Sequence, residues 1–360
     1  MLTALIFIIV LGVLIFVHEF GHFIFAKRAG MKVEEFGFGF PPRLYGWKKG
    51  ETIYSINWIP FGGFVKILGE EGEHRNDPRS FSAKPFGAKL KVIVAGVFMN
   101  FMLAVVLLMI VNFLGLRIGV IDEQTASSVR DKQIQVIQIT ENSPAKSAGL
   151  RLLDEIKGFR IDGQTTLVSN VQETQDWIKE NAGKRVAILI NRNNELLEKE
   201  LVPRTNPPEG EGALGISLAL TGVVSYPWHE AVWRGAYNAA LITINTVIGY
   251  GILFKTLLLK GKLIADVSGP IGIASLTGQA ARIGLNYLMQ FVALISINLA
   301  ILNIIPFPAL DGGRAVMIII EKLKGSPVNK KIEQGINTIG FALLLMLMIY
   351  VTFKDIVKLF

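Results

Sequence analysis

The chain has 360 residues, is 51% hydrophobic and has a mean hydropathy of +0.45, which excludes an ordinary soluble globular protein. It contains no cysteine, so disulfides and thiolate metal sites are excluded and any zinc must be held by histidine and carboxylate. The net charge of +8 comes from basic residues that form neither a block nor an aromatic-interleaved patch. No nucleic-acid partner is therefore expected, and membrane topology explains the charge better.

The first element is the apolar run Leu2 to Phe25, and about 20 such residues suffice to cross a bilayer. It lacks the basic start and small-residue cleavage site of a signal peptide. Within it, His18-Glu19-Phe20-Gly21-His22 reads H-E-x-x-H and uses two of the chain's four histidines. On a helix, residues four apart share a face with Cβ atoms about 5–6 Å apart, so the two imidazoles can grip one metal ion. Glu19 then stands where a general base is needed. Polar residues are costly in such a segment, which argues against a chance pattern.

Val33 to Ile67 alternates apolar and polar residues with Gly, Pro and aromatic punctuation, and predicts a β-hairpin sheet dipping toward the membrane. Its edge is a candidate for pairing with an extended chain; simple packing against the spans is the alternative. Val92 to Leu116 is the second span. Twelve Lys and Arg lie between the first two spans, so the positive-inside rule puts the amino terminus outside and this connection in the cytoplasm.

Val120 to Pro203 predicts a separate soluble domain. Short β-rich runs (Gln135 to Thr140, Arg185 to Asn191, Leu196 to Val202) surround helices at Ala145 to Ala148 and Gln172 to Asn181. Ser143-Pro144-Ala145-x-x-Ala148-Gly149-Leu150, with Asp154-x-Ile156 and Asp162-Gly163, resembles the bacterial PDZ signature. Leu153 stands where that signature usually has glycine. PDZ domains bind extended peptides or carboxyl termini by strand addition, and an inert spacer is the alternative.

Gly235 to Phe254 also lacks charge. Its asparagines, threonines and glycines weaken its apolarity, and we read it as an amphipathic helix on the outer membrane surface. Omitting it from the count makes the third span, Leu288 to Phe307, run from outside to inside. That span then delivers Asp311 to the same end as His22. The fourth span is Ile336 to Phe353, and Arg314, Lys322, Lys324, Lys330 and Lys331 separate the last two.

Asn303-Ile304-Ile305-Pro306-Phe307-Pro308-Ala309-Leu310-Asp311-Gly312-Gly313 closes the third span. Two prolines break the helix and leave carbonyls unpaired, tolerable at membrane depth only beside protein or water. Alone, Asp-Gly-Gly reads as a turn. Matched in depth with H-E-x-x-H, Asp311 becomes the candidate third metal ligand.

Taken with these motifs, the chain resembles the site-2 proteases, intramembrane zinc metalloproteases, in a bacterial form with a single PDZ domain. Gly62-Gly63-Phe64-Val65-Lys66 resembles that family's G-G-[YF]-V-K segment, and Ser268-Gly269-Pro270-Ile271-Gly272-Ile273-Ala274 its G-P-[IV]-x-I-A element. Gly96-Val97-Phe98-Met99-Asn100 stands where relatives often have G-P-x-x-N. The resemblance implies a polytopic α-helical membrane protein with four transmembrane helices, a membrane-associated β-hairpin sheet and an inserted α+β PDZ domain. Residues 1–119 would form the first membrane core, 120–204 the PDZ domain, 205–287 a linker with the surface helix, and 288–360 the second core. It implies Zn2+ held by His18, His22 and Asp311, with Glu19 as catalytic base. Asn303, Gly62, Gly63, Phe64 and Asn100 are the implied substrate-binding residues. The implied setting is a bacterial inner membrane, with the PDZ domain outside the cytoplasm and the active site near the cytoplasmic face. Implied partners are single-span membrane substrates such as anti-sigma factors or signal-peptide remnants, a peptide at the PDZ domain, and the bilayer. A metal-free PDZ scaffold and a transporter using the broken third span are the competing readings.

Overall fold

The structure is a computed structural model that describes residues 2–70, 72–120, 127–192, 195–261 and 269–357. Ser268 of the Ser268–Ala274 element lies outside these, as do parts of the regions read as PDZ domain and linker. The chain divides into two compact units, Met1–Val111 with His229–Phe360, and Asn112–Trp228.

In the first unit, α1 (Leu2–Arg28) and α2 (Phe86–Leu114) are apolar on every side, because in lipid a helix is the way for a segment to satisfy its own backbone. Between them, β1 (Val33–Lys49) and β2 (Thr52–Ile67) do more than form a hairpin. Phe36 faces both Tyr54 and Val65, while Trp47 also faces Tyr54. Each strand therefore folds back to give the order 43–49, 52–57, 33–38, 63–67, in which the two outer pairings are antiparallel and the central segments 52–57 and 33–38 run side by side in the same direction. Phe36 and Tyr54 pack on α1, with ring centroids 5.1 Å (Phe23–Phe36) and 6.0 Å (Phe23–Tyr54) apart. Such pairs contribute about 0.5–1.5 kcal/mol each beyond burial, and they seat the sheet beside the turn carrying Glu19. Tyr45 and Trp47 on the outer segment 43–49, and Trp58 just beyond 52–57, stay exposed, the aromatic type that suits a membrane–water boundary.

The remaining helices are α5 (Trp228–Lys260), α6 (Pro270–Ile283), α7 (Leu285–Ile304), α8 (Asp311–Lys324) and α9 (Lys330–Val357). Five of the described helices are long and apolar enough to cross a membrane, and Trp228–Thr256 within α5 is one of them. That is the segment read from sequence as a surface helix. It packs along α2 and α7: a Cβ on Gly235 would lie 2.6 Å from Met109 N, and Tyr250 donates to Asn298 Oδ1 at 2.7 Å. Asn298 thus gives the half-buried Tyr250 a partner that composition alone does not show. After α5, helix α6 packs against Thr3 at the start of α1, while Asp355 near the end of α9 accepts from Gly272 N at 2.8 Å.

The second unit is a seven-stranded sheet. Its strands are β3 (Leu116–Gly119), β4 (Arg130–Ile139), β5 (Glu155–Ile161), β6 (Gln164–Leu167), β7 (Val186–Arg192), β8 (Glu195–Leu201) and β9 (Ile216–Val224), in the order β3-β9-β4-β5-β7-β8 with β6 on β5. The sheet takes in β3 and β9 from outside 120–204, because β9 pairs with both β3 and β4. Two helices, α3 (Pro144–Ser147) and α4 (Val171–Glu180), accompany it. Ser143 caps α3 by accepting from Lys146 N at 3.2 Å, with Pro144 at its first position. Phe159 is fully buried and stacks on Trp177 of α4 with centroids 4.2 Å apart. Leu153 has φ +67, the left-handed region, which costs an L residue roughly 1–2 kcal/mol and accounts for glycine being usual there.

Candidate metal centre

One helical turn of α1 puts His18 and His22 on one face, and α2 crosses that face closely. A Cβ on Gly21 would stand 2.5 Å from Ala95 O. A Cβ on Gly96 would stand 2.4 Å from His22 Nε2 and 2.8 Å from His18 Nε2. The bare backbone of Gly96 therefore leaves open the space into which both nitrogens point. Sequence reading noted Gly96 only as part of a motif; its role depends on the crossing point of two helices, which no local pattern encodes.

Asp311 arrives from the broken end of α7. Pro306 and Pro308 cannot continue a helix, and Ala309 turns the chain with φ +71. Ala309 N donates to Asn337 Oδ1 of α9 at 3.3 Å. A Cβ on Gly312 would meet Ile305 O at 2.2 Å, and one on Gly313 would meet Phe307 O at 2.3 Å. The glycine pair lets α8 start directly against the Ile305 and Phe307 carbonyls of the proline turn, which accept from Phe307 N at 2.7 Å and Leu310 N at 3.2 Å.

The three side chains converge. His18 Nε2 lies 3.0 Å from Asp311 Oδ2, His22 Nε2 lies 3.4 Å from it, and the two Nε2 atoms are 3.2 Å apart. Ligands at about 2.0–2.1 Å in a tetrahedron around zinc are separated by about 3.3 Å, so the triangle has the size of one face of such a site. The chemistry of the donors agrees. His22 Nδ1 is 2.8 Å from Val92 O, and since a carbonyl only accepts, Nδ1 carries the proton and Nε2 presents a lone pair. His18 Nδ1 is 3.2 Å from the Asn100 amide, whose buried Oδ1 has no hydrogen-bond partner. Turning that amide gives His18 Nδ1–H its acceptor and aims Nε2 inward as well. Asp311 Oδ2, also buried, receives no hydrogen bond. Three lone pairs meeting without a proton between them call for a cation, and the site fits zinc.

A cavity of about 320 Å³ reaches this centre, lined by Glu19, His22, Gly63, Phe64, Asp311 and Arg314 among others. A Cβ on Gly63 would approach Glu19 Cγ at 3.1 Å, so the 63–67 strand lies directly over the candidate base. The other implied substrate residues are distributed differently. Gly62, at φ +136, lies against the Phe40 ring. Asn100 is fully buried against His18, with its backbone carbonyl accepting from Ser296 Oγ at 2.7 Å. Asn303 is half-buried in the last turn of α7 and does not line the cavity.

The model of peptidase family M50 matches residues 6–347. A Clostridium perfringens protein named as a zinc metalloprotease is 39% identical over 96% of this chain and 95% of its own length. The regulator of sigma-W protease RasP of Bacillus subtilis is 31% identical over 99% of each. A Nostoc protein, also named as a zinc metalloprotease, is 34% identical over 98% of this chain and 95% of its own. With its apolar helices, the molecule is a multi-pass bacterial membrane protein that uses zinc. The chain belongs to peptidase family M50 and is an intramembrane zinc metalloprotease of the site-2 type.

Proposed function

We propose that His18, His22 and Asp311 hold the catalytic zinc, that Glu19 is the general base, and that the substrate's scissile peptide enters the cavity as an extended strand. The observation that carries this reading is the triangle of His18, His22 and Asp311 with Glu19 on the same cavity wall. Zinc, when bound, supplies a Lewis acid that polarises the scissile carbonyl and acidifies water. Glu19 takes a proton from the attacking water on its carboxylate and returns it to the leaving amine. Val92 and Asn100 hold the two imidazoles in the required tautomer. A transmembrane helix hides its carbonyls in internal hydrogen bonds, so the substrate must first be unwound. The 63–67 strand pairs on one side with 33–38, and its other edge suits strand addition by such a segment.

Four crossings are supported by the flanks of α5. Its start lies beside Met109, toward the end of α2 remote from the metal ligands. The next helix, α6, packs on Thr3 and Asp355 at the remote ends of α1 and α9. The start of α5 and helix α6 thus stand at the same end of the bundle, which supports no net crossing between α2 and α7. Positive-inside charge then places Asn112–Trp228 outside the cytoplasm and the metal centre toward the cytoplasmic face. In that second unit, the Ser143 cap on α3 and the left-handed Leu153 before Asp154 are consistent with a PDZ domain, which would filter substrates by size or bind a peptide. The name of RasP points to regulators of sigma factors as one class of single-span substrate.

Two outcomes are expected. Asp311→Asn, a neutral amide in place of a charged ligand, should weaken zinc binding by about a hundredfold or more in chelator competition and lower cleavage with it. Full zinc occupancy with full activity would remove Asp311 from the site. The absence of native cysteine makes topology testable without background. A cysteine at Ser169 should react with an impermeant thiol reagent from outside, and one at Ser326 only after the membrane is opened. The reverse pattern would overturn the orientation.

A further inference from the structure

The cavity at the metal centre holds a charged pair that peptide hydrolysis as derived above leaves unused. Arg314 lies one turn beyond Asp311 on α8 and lines the cavity together with Glu19 and His22. Its Nη2 forms an ion pair with Glu70 Oε1, on the segment leaving the β-sheet, while Glu70 Oε2 accepts from Ile67 N at 3.4 Å. Among the described lining residues, Arg314 is the one permanent cation, set against the carboxylates of Glu19, Glu70 and Asp311. Hydrolysis in this cavity builds negative charge on the scissile carbonyl oxygen and leaves a free carboxylate on one product. A planar guanidinium fork matches that group with two parallel donors.

We propose that Arg314 is the anion-holding residue of this active site: it donates to the scissile carbonyl oxygen as charge develops and then to the carboxylate of the peptide product. Glu70 is a positioning residue that holds the guanidinium at the cavity wall until the substrate takes its place. The proposal rests on the zinc-protease reading. Its competitor is a purely structural tie between the sheet and α8, in which either partner matters only because the pair exists. The two differ for Glu70. Removing Glu70 breaks a tie, but it frees an anion holder from its competing carboxylate.

The test is binding, followed by fluorescence anisotropy on the zinc-loaded full chain in detergent. The probes are a labelled short apolar peptide with a free carboxyl terminus and the same peptide as its carboxamide. The wild type should prefer the carboxylate. Arg314→Gln should cut that preference by about tenfold, the scale of a charge-assisted hydrogen bond, and Arg314→Lys should keep part of it. Glu70→Gln should keep or raise it. An undiminished preference in Arg314→Gln, equal losses in Arg314→Gln and Glu70→Gln, or no preference in the wild type would overturn the assignment. Wild-type protein that neither retains zinc nor cleaves a membrane substrate would instead overturn the protease reading, so the two failures are distinguishable.

Discussion

Glu19→Gln is expected to leave zinc bound and to lower peptide cleavage by about 10²- to 10⁴-fold, the contribution of a positioned general base. Glutamine has nearly the shape of glutamate, and Glu19 belongs to none of the three donors that converge on one point, which are His18, His22 and Asp311. The packing around residue 19, including the close approach of Gly63, is kept. What is lost is a carboxylate able to accept a proton. The check is zinc content and turnover of a single-span substrate measured on the same preparation. Cleavage near the wild-type rate would remove Glu19 from the chemistry, and loss of zinc would mean that it acts as a ligand.

The second large effect is expected from a single added methyl group. Gly96→Ala places a carbon 2.4 Å from His22 Nε2 and 2.7 Å from His18 Cε1, far inside the distance of about 3.5–4.0 Å at which carbon atoms rest. Neither imidazole can simply swing aside, because His22 is tied to Val92 O and His18 to Asn100. Either α2 retreats by about 1 Å or the ligands turn away, and a misplacement of that size at an active site costs about a hundredfold in rate. We expect Gly96→Ala to lose zinc as well as activity. Gly87→Ala on the same helix, where a Cβ meets nothing, is the control and should behave as wild type. A zinc-loaded, fully active Gly96→Ala protein would show that the space beside Gly96 is not the ligand site.

The sequence made some of these features legible and hid others for physical reasons. The pair His18 and His22 was readable because a helix repeats locally, and four residues suffice to define a face. Asp311 lies nearly 300 positions away and became readable only through topology, by asking which end of the bundle the third span delivers. The glycines of Asp311-Gly312-Gly313 suggested close backbone approach, and the contacts with Ile305 and Phe307 carbonyls are its cause. The hairpin at 33–67 was visible as alternation, but the fold-back that lets Phe36 pair twice was not, since a period of two does not say how often a strand is used. α8 was taken as part of a basic connection. Its amphipathic face, with Ala315 and Ile318 buried, is what aims Arg314 into the cavity. Asn100 was read as a substrate contact by analogy of motif, and its burial against His18 belongs to the meeting of α1 and α2. Local chemistry was readable, whereas the residues that shape or orient it depend on how helices cross.

The most direct measurement is zinc X-ray absorption of the purified full chain, wild type beside Asp311→Ala. The wild type should show a zinc bound by two imidazole nitrogens and a carboxylate oxygen at about 2.0–2.2 Å. The variant should lose the carboxylate contribution or the zinc altogether, and its cleavage with it. A zinc signal unchanged by Asp311→Ala, or one without imidazole scattering in the wild type, would contradict a centre built from His18, His22 and Asp311.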